Sequence, residues 1–355
     1  MLEAISRATG CLIATDEARG IYDWNLPALT GLQRRRIAEL AYCVEAFSKA
    51  ARMPVTVDKD ILTQRAALLG LPAAGAISAN GKCRMVRAQD GWLAVNLPRT
   101  TDIDLLPAWL ESDTDIDTIA HAMSRDILVD RARLLGLAVA PVSENQNLSP
   151  LITRMGASCQ KRTRPQVIDL SSLWAGPLCG ALLADAGADV MKVETEERPD
   201  GARSGSPEFF ARLNSKKRDM TIDVRDKNRL RELFRTADVV IESARPRALE
   251  QWGFSLPEIF AVNPSLIWVS VTAYGRDPAR ANWVGFGDDV AAAAGLVTEQ
   301  DERPSFIGDA IADPLAGLTA AAATFASLAA GGGFLIDASL YAAAAFVANG
   351  RRPIP

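Results

Sequence analysis

Two adjacent carboxylates, Asp288 and Asp289, follow the turn Val284-Gly285-Phe286-Gly287 and lead into the run Val290-Ala291-Ala292-Ala293-Ala294-Gly295. The alanine run predicts a helix, and aspartate at its start satisfies unpaired backbone N–H groups and suits the positive end of the helix dipole. A carboxylate can also attack an activated acyl group and form a mixed anhydride, splitting one hard transfer into two easier ones. The spacing admits both roles. A second stretch, Asn214-Ser215-Lys216-Lys217-Arg218, is cationic and sits just before a predicted strand. It can hold an anion such as a phosphate by charge-assisted hydrogen bonds, or be an ordinary solvated face. The turn 171–177 and the strand end and turn 271–278 complete the set.

These stretches need a scaffold. Positions 166–194, QVIDLSSLWAGPLCGALLADAGADVMKVE, read as strand, helix and strand. Val167, Ile168 and Leu170 suit a strand buried on both faces; Ala175-Gly176-Pro177 opens a helix to about Ala186, and Gly187 stops it. Further strands are predicted at 220–224, 239–242, 266–271 and 334–338, with helices at 227–235, 257–262, 288–294, 313–330 and up to about 348. Strands alternating with helices predict an α/β fold with a doubly wound parallel sheet, Rossmann-like in kind, whose ligands collect at the carboxyl ends of the strands. No GxGxxG follows the first strand, since AGPLCG lacks the spacing, so a plain dinucleotide-binding protein is disfavoured.

The first half reads differently. Positions 29–53 carry an apolar helical stripe through Leu32, Ile37, Leu40, Ala41, Val44 and Phe47, leaving Arg34, Arg35 and Arg36 as a solvated face. A helix is expected over 58–70, then a hairpin of 83–88 and 92–97 about Asp90-Gly91, helices at 105–110 and 116–135, and a strand at 137–142. The domains are therefore 1–142, N-terminal helices with a small α+β domain; 143–165, a polar linker; and 166–355, the Rossmann-like large domain.

Over 355 residues, a net charge of −4 and 48% hydrophobic content suit a folded protein of two domains without a basic footprint for nucleic acid. The five cysteines form no CxxC pair, so no zinc site or disulfide framework is expected. No secretory leader or uninterrupted apolar span is seen, which predicts a cytoplasmic protein without membrane segments.

Six ordered motifs, QVIDLSSLWAGPLCGALLADAGADVMKVE, NSKKRDMTIDV, ADVVIESARPRALEQWGFS, NPSLIWVSVTAYGRDP, GFGDD…AGLV and IADPLAGLTAAAATFASLAAGGGFLIDASL, resemble the large domain of the family III CoA-transferases. That group includes formyl-CoA and carnitine CoA-transferases and α-methylacyl-CoA racemases. GKCRMVRAQDGWLAVNL and RARLLGLAVAPV are similar to the family's small domain, here placed first rather than inside or after the large one. The resemblance implies CoA and acyl-CoA esters with small carboxylic acids as substrates, no tightly bound cofactor or metal, and a homodimer of interlocked chains. It implies an aspartyl anhydride and an aspartyl-CoA thioester, with the nucleophile mapping near Asp288 and Asp289; counting back from Gly295 lands on Gly287, and Asp288 is the nearer carboxylate. CoA contacts map to Ser172, Trp174, Ala175, Lys217 and Arg218. At two further CoA positions the chain has Gln251, ahead of Trp252, and Thr272 where the formyl-CoA transferase pattern has Arg and Lys; Arg245, Arg247 or Arg276 could compensate. The family's glycine loop maps to 75–81. Racemisation needs a second acid/base group, and His121, the single histidine, lies in a small-domain helix away from these motifs. Transferase is favoured over racemase, with a CoA-binding protein lacking transferase activity as the alternative.

Overall fold

The computed structural model describes residues 2–11, 24, 26–160, 162–223 and 225–348. An antiparallel sheet is formed by β1 (Cys83–Ala88), β2 (Gly91–Asn96) and β3 (Ala138–Pro141) in that order. The turn at Asp90-Gly91 joins the first two as expected, with Ala88 opposite Gly91. Trp109, Leu128 and Val139 pack beneath this sheet as a core of their own.

The large sheet comprises β4 (Ile152–Arg154), β5 (Gln166–Asp169), β6 (Asp189–Thr195), β7 (Arg218–Ile222), β8 (Val239–Glu242), β9 (Ile267–Thr272) and β12 (Phe334–Ser339); the hairpin of β10 (Val297–Gln300) and β11 (Arg303–Phe306) stands apart. The sheet order is β4-β12-β9-β8-β5-β6-β7, and all neighbours are parallel except β4 on β12. Val239, Val240, Ile267, Trp268 and Val269 are fully buried, as strands covered on both faces require.

The helix Ala312–Ala329 is apolar all round and lies at the centre of the main core, against Gly31–Ala50 and Ala175–Asp185. Small side chains permit the close approach: a Cβ on Gly317 would stand 2.8 Å from the Ala175 carbonyl. Among the described residues no helix is long and apolar enough to cross a membrane.

Several local expectations are corrected. Within 58–70 only Gln64–Leu69 is helical, because the segment before Thr63 runs in turns; Gly70 ends it in the left-handed region at φ +60°. The expected helix 116–135 is two, Ile116–Ala122 and Arg125–Leu135, broken where Met123 turns extended. Of the three arginines, Arg34 donates to Leu29 O at 2.8 Å and Arg36 to Phe346 O, so only Arg35 is left as a solvated side chain. Leu32 is 46% exposed, and the helix start instead buries Gln33 in a capping box with Thr30. The expected linker supplies β4, and the β10–β11 hairpin had no sequence signal. Val224, the end of one expected strand, lies outside the described residues.

Candidate active site

The chain reverses its travel across the sheet at β5, with β6 and β7 on one side and β8, β9 and β12 on the other. In open α/β sheets the ligand crevice opens at such a switch point, outside the carboxyl ends of the diverging strands. Here these ends are the turns 170–174 and 243–246, and Ser172 N–H donates to Ser243 Oγ between them at 3.0 Å.

Two buried ion pairs brace the first turn. Lys217 Nζ donates to Asp169 Oδ2, Pro177 O and Asn214 Oδ1, each at 2.8 Å, which uses all three of its N–H groups. Burial pushes the Asp169 carboxyl up, but the Lys217 and Lys192 ammoniums outweigh it and hold it below its usual value. Lys192 donates to Asp200 Oδ2 at 2.9 Å and to the Ser171 carbonyl, while Asp200 accepts the Leu173 N–H at 3.0 Å. The turn so fixed holds Leu173 at φ +70° and 45% exposed. For a bulky residue that conformation costs about 1–2 kcal/mol.

Beyond Trp174 lies a cluster of four carboxylates. Asp288 and Asp289 open the helix Gly287–Ala293, Asp313 is in the first turn of Ala312–Ala329, and Asp309 precedes it. Asp288 Oδ1 accepts the Ala310 N–H at 2.9 Å, and its Oδ2 faces Asn80 Nδ2 at 3.4 Å. Ala310 reaches it from φ +45°. Asp289 Oδ1 accepts from Asn96 Nδ2 at 2.7 Å and from Phe286 N–H at 3.0 Å, the capping role allowed by its spacing. Arg65 NH1 holds both oxygens of Asp309, at 2.7 and 2.8 Å, and lies 5.6 Å from the Trp174 ring centroid. That cation links the crevice turn to the acids.

Burial, then the Asp309 charge, pushes the Asp288 carboxyl up to about 7, against the Ala310 N–H, Arg65 and Asn80. Asp313 is pushed up to about 7 by burial and then by Asp288. Burial raises Asp289 well above the usual carboxylate range, and its Oδ2 has no hydrogen-bond partner among the described residues. Near neutral pH the cluster therefore shares protons. Asp288 is 4% exposed beneath the loop 75–81, which Phe306 of β11 ties down through Gly75 O at 2.8 Å.

The expected CoA residues separate into two groups. Ser172 is half-buried at the crevice, and Trp174 and Ala175 are buried directly behind it, with Trp174 edge-on to Phe209 at 5.0 Å. The others stand apart: Lys217 is engaged as described, Arg218 pairs with Asp189 at 2.8 Å, and Thr272 donates to Asp337 at 2.9 Å while accepting the Gly275 N–H. Lys217 and Thr272 thus brace the sheet and offer a ligand no free donor N–H or O–H. Gln251 is exposed and Trp252 half-buried at the end of the helix Pro246–Gln251. His121 is exposed in Ile116–Ala122. Sequence reasoning missed Arg65, Asn80, Asn96, Asp309 and Asp313. Only Asp309 and Asp313 carried a signal, as acids before and in the first turn of an alanine-rich helix.

Residues 165–351, a little over half of the chain, match the model of CoA-transferase family III. The chain belongs to that family. A succinyl-CoA–D-citramalate CoA-transferase of Chloroflexus aurantiacus is 33% identical over 52% of this chain and 51% of its own length. A succinate–glutarate CoA-transferase of Agrobacterium fabrum is 33% identical over 46% of each chain. Among solved structures, a CAIB/BAIF family protein from Brucella suis aligns with a TM-score of 0.48 and 30% identity, covering 53% of this chain and 58% of its own. The chain spans about half the length of the curated relatives it matches.

Proposed function

We propose that the chain is an acyl-CoA:carboxylate CoA-transferase with Asp288 as nucleophile. An Asp288 oxygen attacks the thioester carbonyl, the C–S bond breaks and CoA leaves as thiolate, giving a mixed anhydride. The thiolate then attacks the Asp288 carbonyl, forming an aspartyl-CoA thioester and releasing the donor acid as carboxylate. An acceptor carboxylate repeats both steps in reverse, so no proton or external reagent is consumed. The observation that carries this reading is the placement of Asp288. Of the adjacent pair it is the one not fully enclosed, and the chain of Trp174, Arg65 and Asp309 joins it to the switch-point crevice. Asn80 sits over it from the small-domain loop, so loop displacement uncovers the carboxylate. The same reading makes the protein a cytoplasmic homodimer that takes CoA esters and small acids.

One observation favours a CoA-binding protein without transferase activity. Position 287, reached by counting back from Gly295, is glycine, and a Cβ there would stand 2.3 Å from the Ala310 carbonyl. The two readings part in one experiment. Incubation with a panel of acyl-CoA esters, then hydroxylamine, should give a hydroxamate on the Asp288 peptide that Asp288→Ala abolishes and Asp289→Ala retains. CoA binding by calorimetry without any adduct across the panel rejects the transferase reading.

A further inference from the structure

The helix Gly287–Ala293 is where the antiparallel sheet meets the carboxylate cluster. It packs on β2 and β3, and the chain leaving β3 stays with it: Ser143 N–H donates to Ala292 O at 2.9 Å and Glu144 N–H to Ala293 O at 2.7 Å. The surroundings are apolar. Cys83, whose thiol feels the Asp289 charge, belongs to one buried cluster with Met85, Ala94, Val142, Ala292 and Phe306. Two polar side chains enter this contact, Asn96 from the end of β2 and Asp289 from the helix, 3% and 0% exposed.

Their hydrogen bonds do not balance. Asn96 Nδ2 and Phe286 N–H both donate to Asp289 Oδ1, at 2.7 and 3.0 Å, while Asp289 Oδ2 and Asn96 Oδ1 are buried without a partner among the described residues. Both orphans are acceptors, and leaving them unmade is costly. Exchanging the amide N and O of Asn96 leaves the same deficit of one proton, because oxygen then faces oxygen at 2.7 Å. No cation makes up the difference. Among the described residues no Lys or Arg pairs with Asp289; Arg65 is bound to Asp309 and Arg133 to Glu144. The titratable groups facing Asp289 are Asp288 on its own helix, Cys83 at the start of β1 and Tyr274 beyond β9. Burial pushes the thiol and the phenol up, so both stay neutral. One proton settles the count: an O–H on Asp289 occupies Oδ2 and donates to Asn96 Oδ1.

We propose that Asp289 is the neutral carboxylic acid of the cluster, joined to Asn96 in a closed acid–amide pair, and that this pair is the positioning device holding β2 against the helix that bears Asp288. On the transferase reading above it has a second effect. Two adjacent carboxylates resist being anions together, so the proton kept on Asp289 leaves the negative charge to Asp288, the member that attacks. Asp289 touches no substrate; it acts through Asp288 and Asn96. Removing its proton at alkaline pH orphans both oxygens again and loosens β2 from the helix.

Asp289→Asn tests this, because it supplies an N–H where the acid has its O–H and keeps the acceptor. Infrared spectra at neutral pH should show a protonated-carboxyl component, shifted in D2O, that is present in wild type and Asp288→Asn and absent in Asp289→Asn. The folded Asp289 holds its proton above the unfolded value of about 4, so its contribution is lost as pH rises from there. Asp289→Asn should therefore gain on wild type with rising pH, read as a widening gap in urea midpoints. Amide protection over 91–96 should fall at alkaline pH in wild type, fall about tenfold at every pH in Asn96→Leu, and hold in Asp289→Asn. Adduct formation at Asp288 should decline at alkaline pH in wild type and not in Asp289→Asn. With no adduct from any ester the transferase reading falls, while the pair stands on the other three readouts. An Asp289→Asn chain that does not fold, or wild type without the infrared component, overturns the pair, and a buried water then bridges the two oxygens.

Discussion

Placing a side chain at position 287 tests how rigid the carboxylate cluster is. A Cβ on Gly287 would lie 2.3 Å from the Ala310 carbonyl oxygen and 2.5 Å from Asp313 Oδ2, about 1 Å inside an ordinary contact. Neither neighbour has slack. Ala310 is backbone already held at φ +45° with its N–H on Asp288, and Asp313 opens the central buried helix. Overpacking of a dense site costs about 1–3 kcal/mol, so Gly287→Ala should lose about 2–3 kcal/mol. Gly287→Asp adds a further carboxylate beside Asp288 and Asp313, and should lose about 4 kcal/mol or more at pH 7.5 and less at pH 5, where the group is protonated. Urea unfolding followed by far-ultraviolet circular dichroism at both pH values measures this. A Gly287→Ala variant within about 0.5 kcal/mol of wild type refutes the packing argument. A stable Gly287→Asp variant with gained transferase activity refutes the assignment of Asp288 as well.

Three other outcomes are expected. The Asp288 carboxyl is raised to about 7 in the folded chain, so its contribution is fully present below about pH 4 and is lost as pH rises through 7. Asp288→Asn should therefore gain on wild type over that window, by a few kcal/mol at most, in urea midpoints; transferase rates of wild type should rise through the same pH if the anion is the nucleophile. Lys217→Met strands the buried Asp169 carboxylate and should cost about 3–5 kcal/mol, while the double variant Asp169→Leu/Lys217→Met should recover most of it in thermal and urea unfolding. Leu173→Gly relieves a positive φ and should stabilise by about 0.5–1 kcal/mol after the entropic penalty of glycine, and a fall in melting temperature counts against strain in that turn.

The parts of the fold legible in the sequence were those with local causes. Gly187 at φ +94° follows the end of the helix Ala175–Asp185, and Asp90-Gly91 turns the hairpin, because backbone conformation at these points depends on the residues themselves. β4 was not legible. Ile152-Thr153-Arg154 has no alternation to read, and pairing with β12, far along the chain, makes it a strand. The same holds in the site. Asp289 was foreseen as a cap and is one, whereas Asp309 and Arg65 meet from positions 244 residues apart, and nothing in either neighbourhood announces the partner. Lys217 was misread for the converse reason: its basic run looks like a solvated or anion-binding surface until Asp169, Asn214 and Pro177 close around one of its members.

The helix Gly31–Ala50 finds its partner, Ala312–Ala329, only ~280 residues later in the chain. At synthesis rates of about 5–20 residues per second, Ile37, Leu40, Val44 and Phe47 wait on the order of 15 to 60 s before the surface that covers them exists. The small antiparallel sheet can close meanwhile from its own contacts, so the nascent chain carries that sheet preceded by a helix whose apolar face is uncovered. That interval makes the yield of native protein depend on growth temperature, translation rate and chaperone supply.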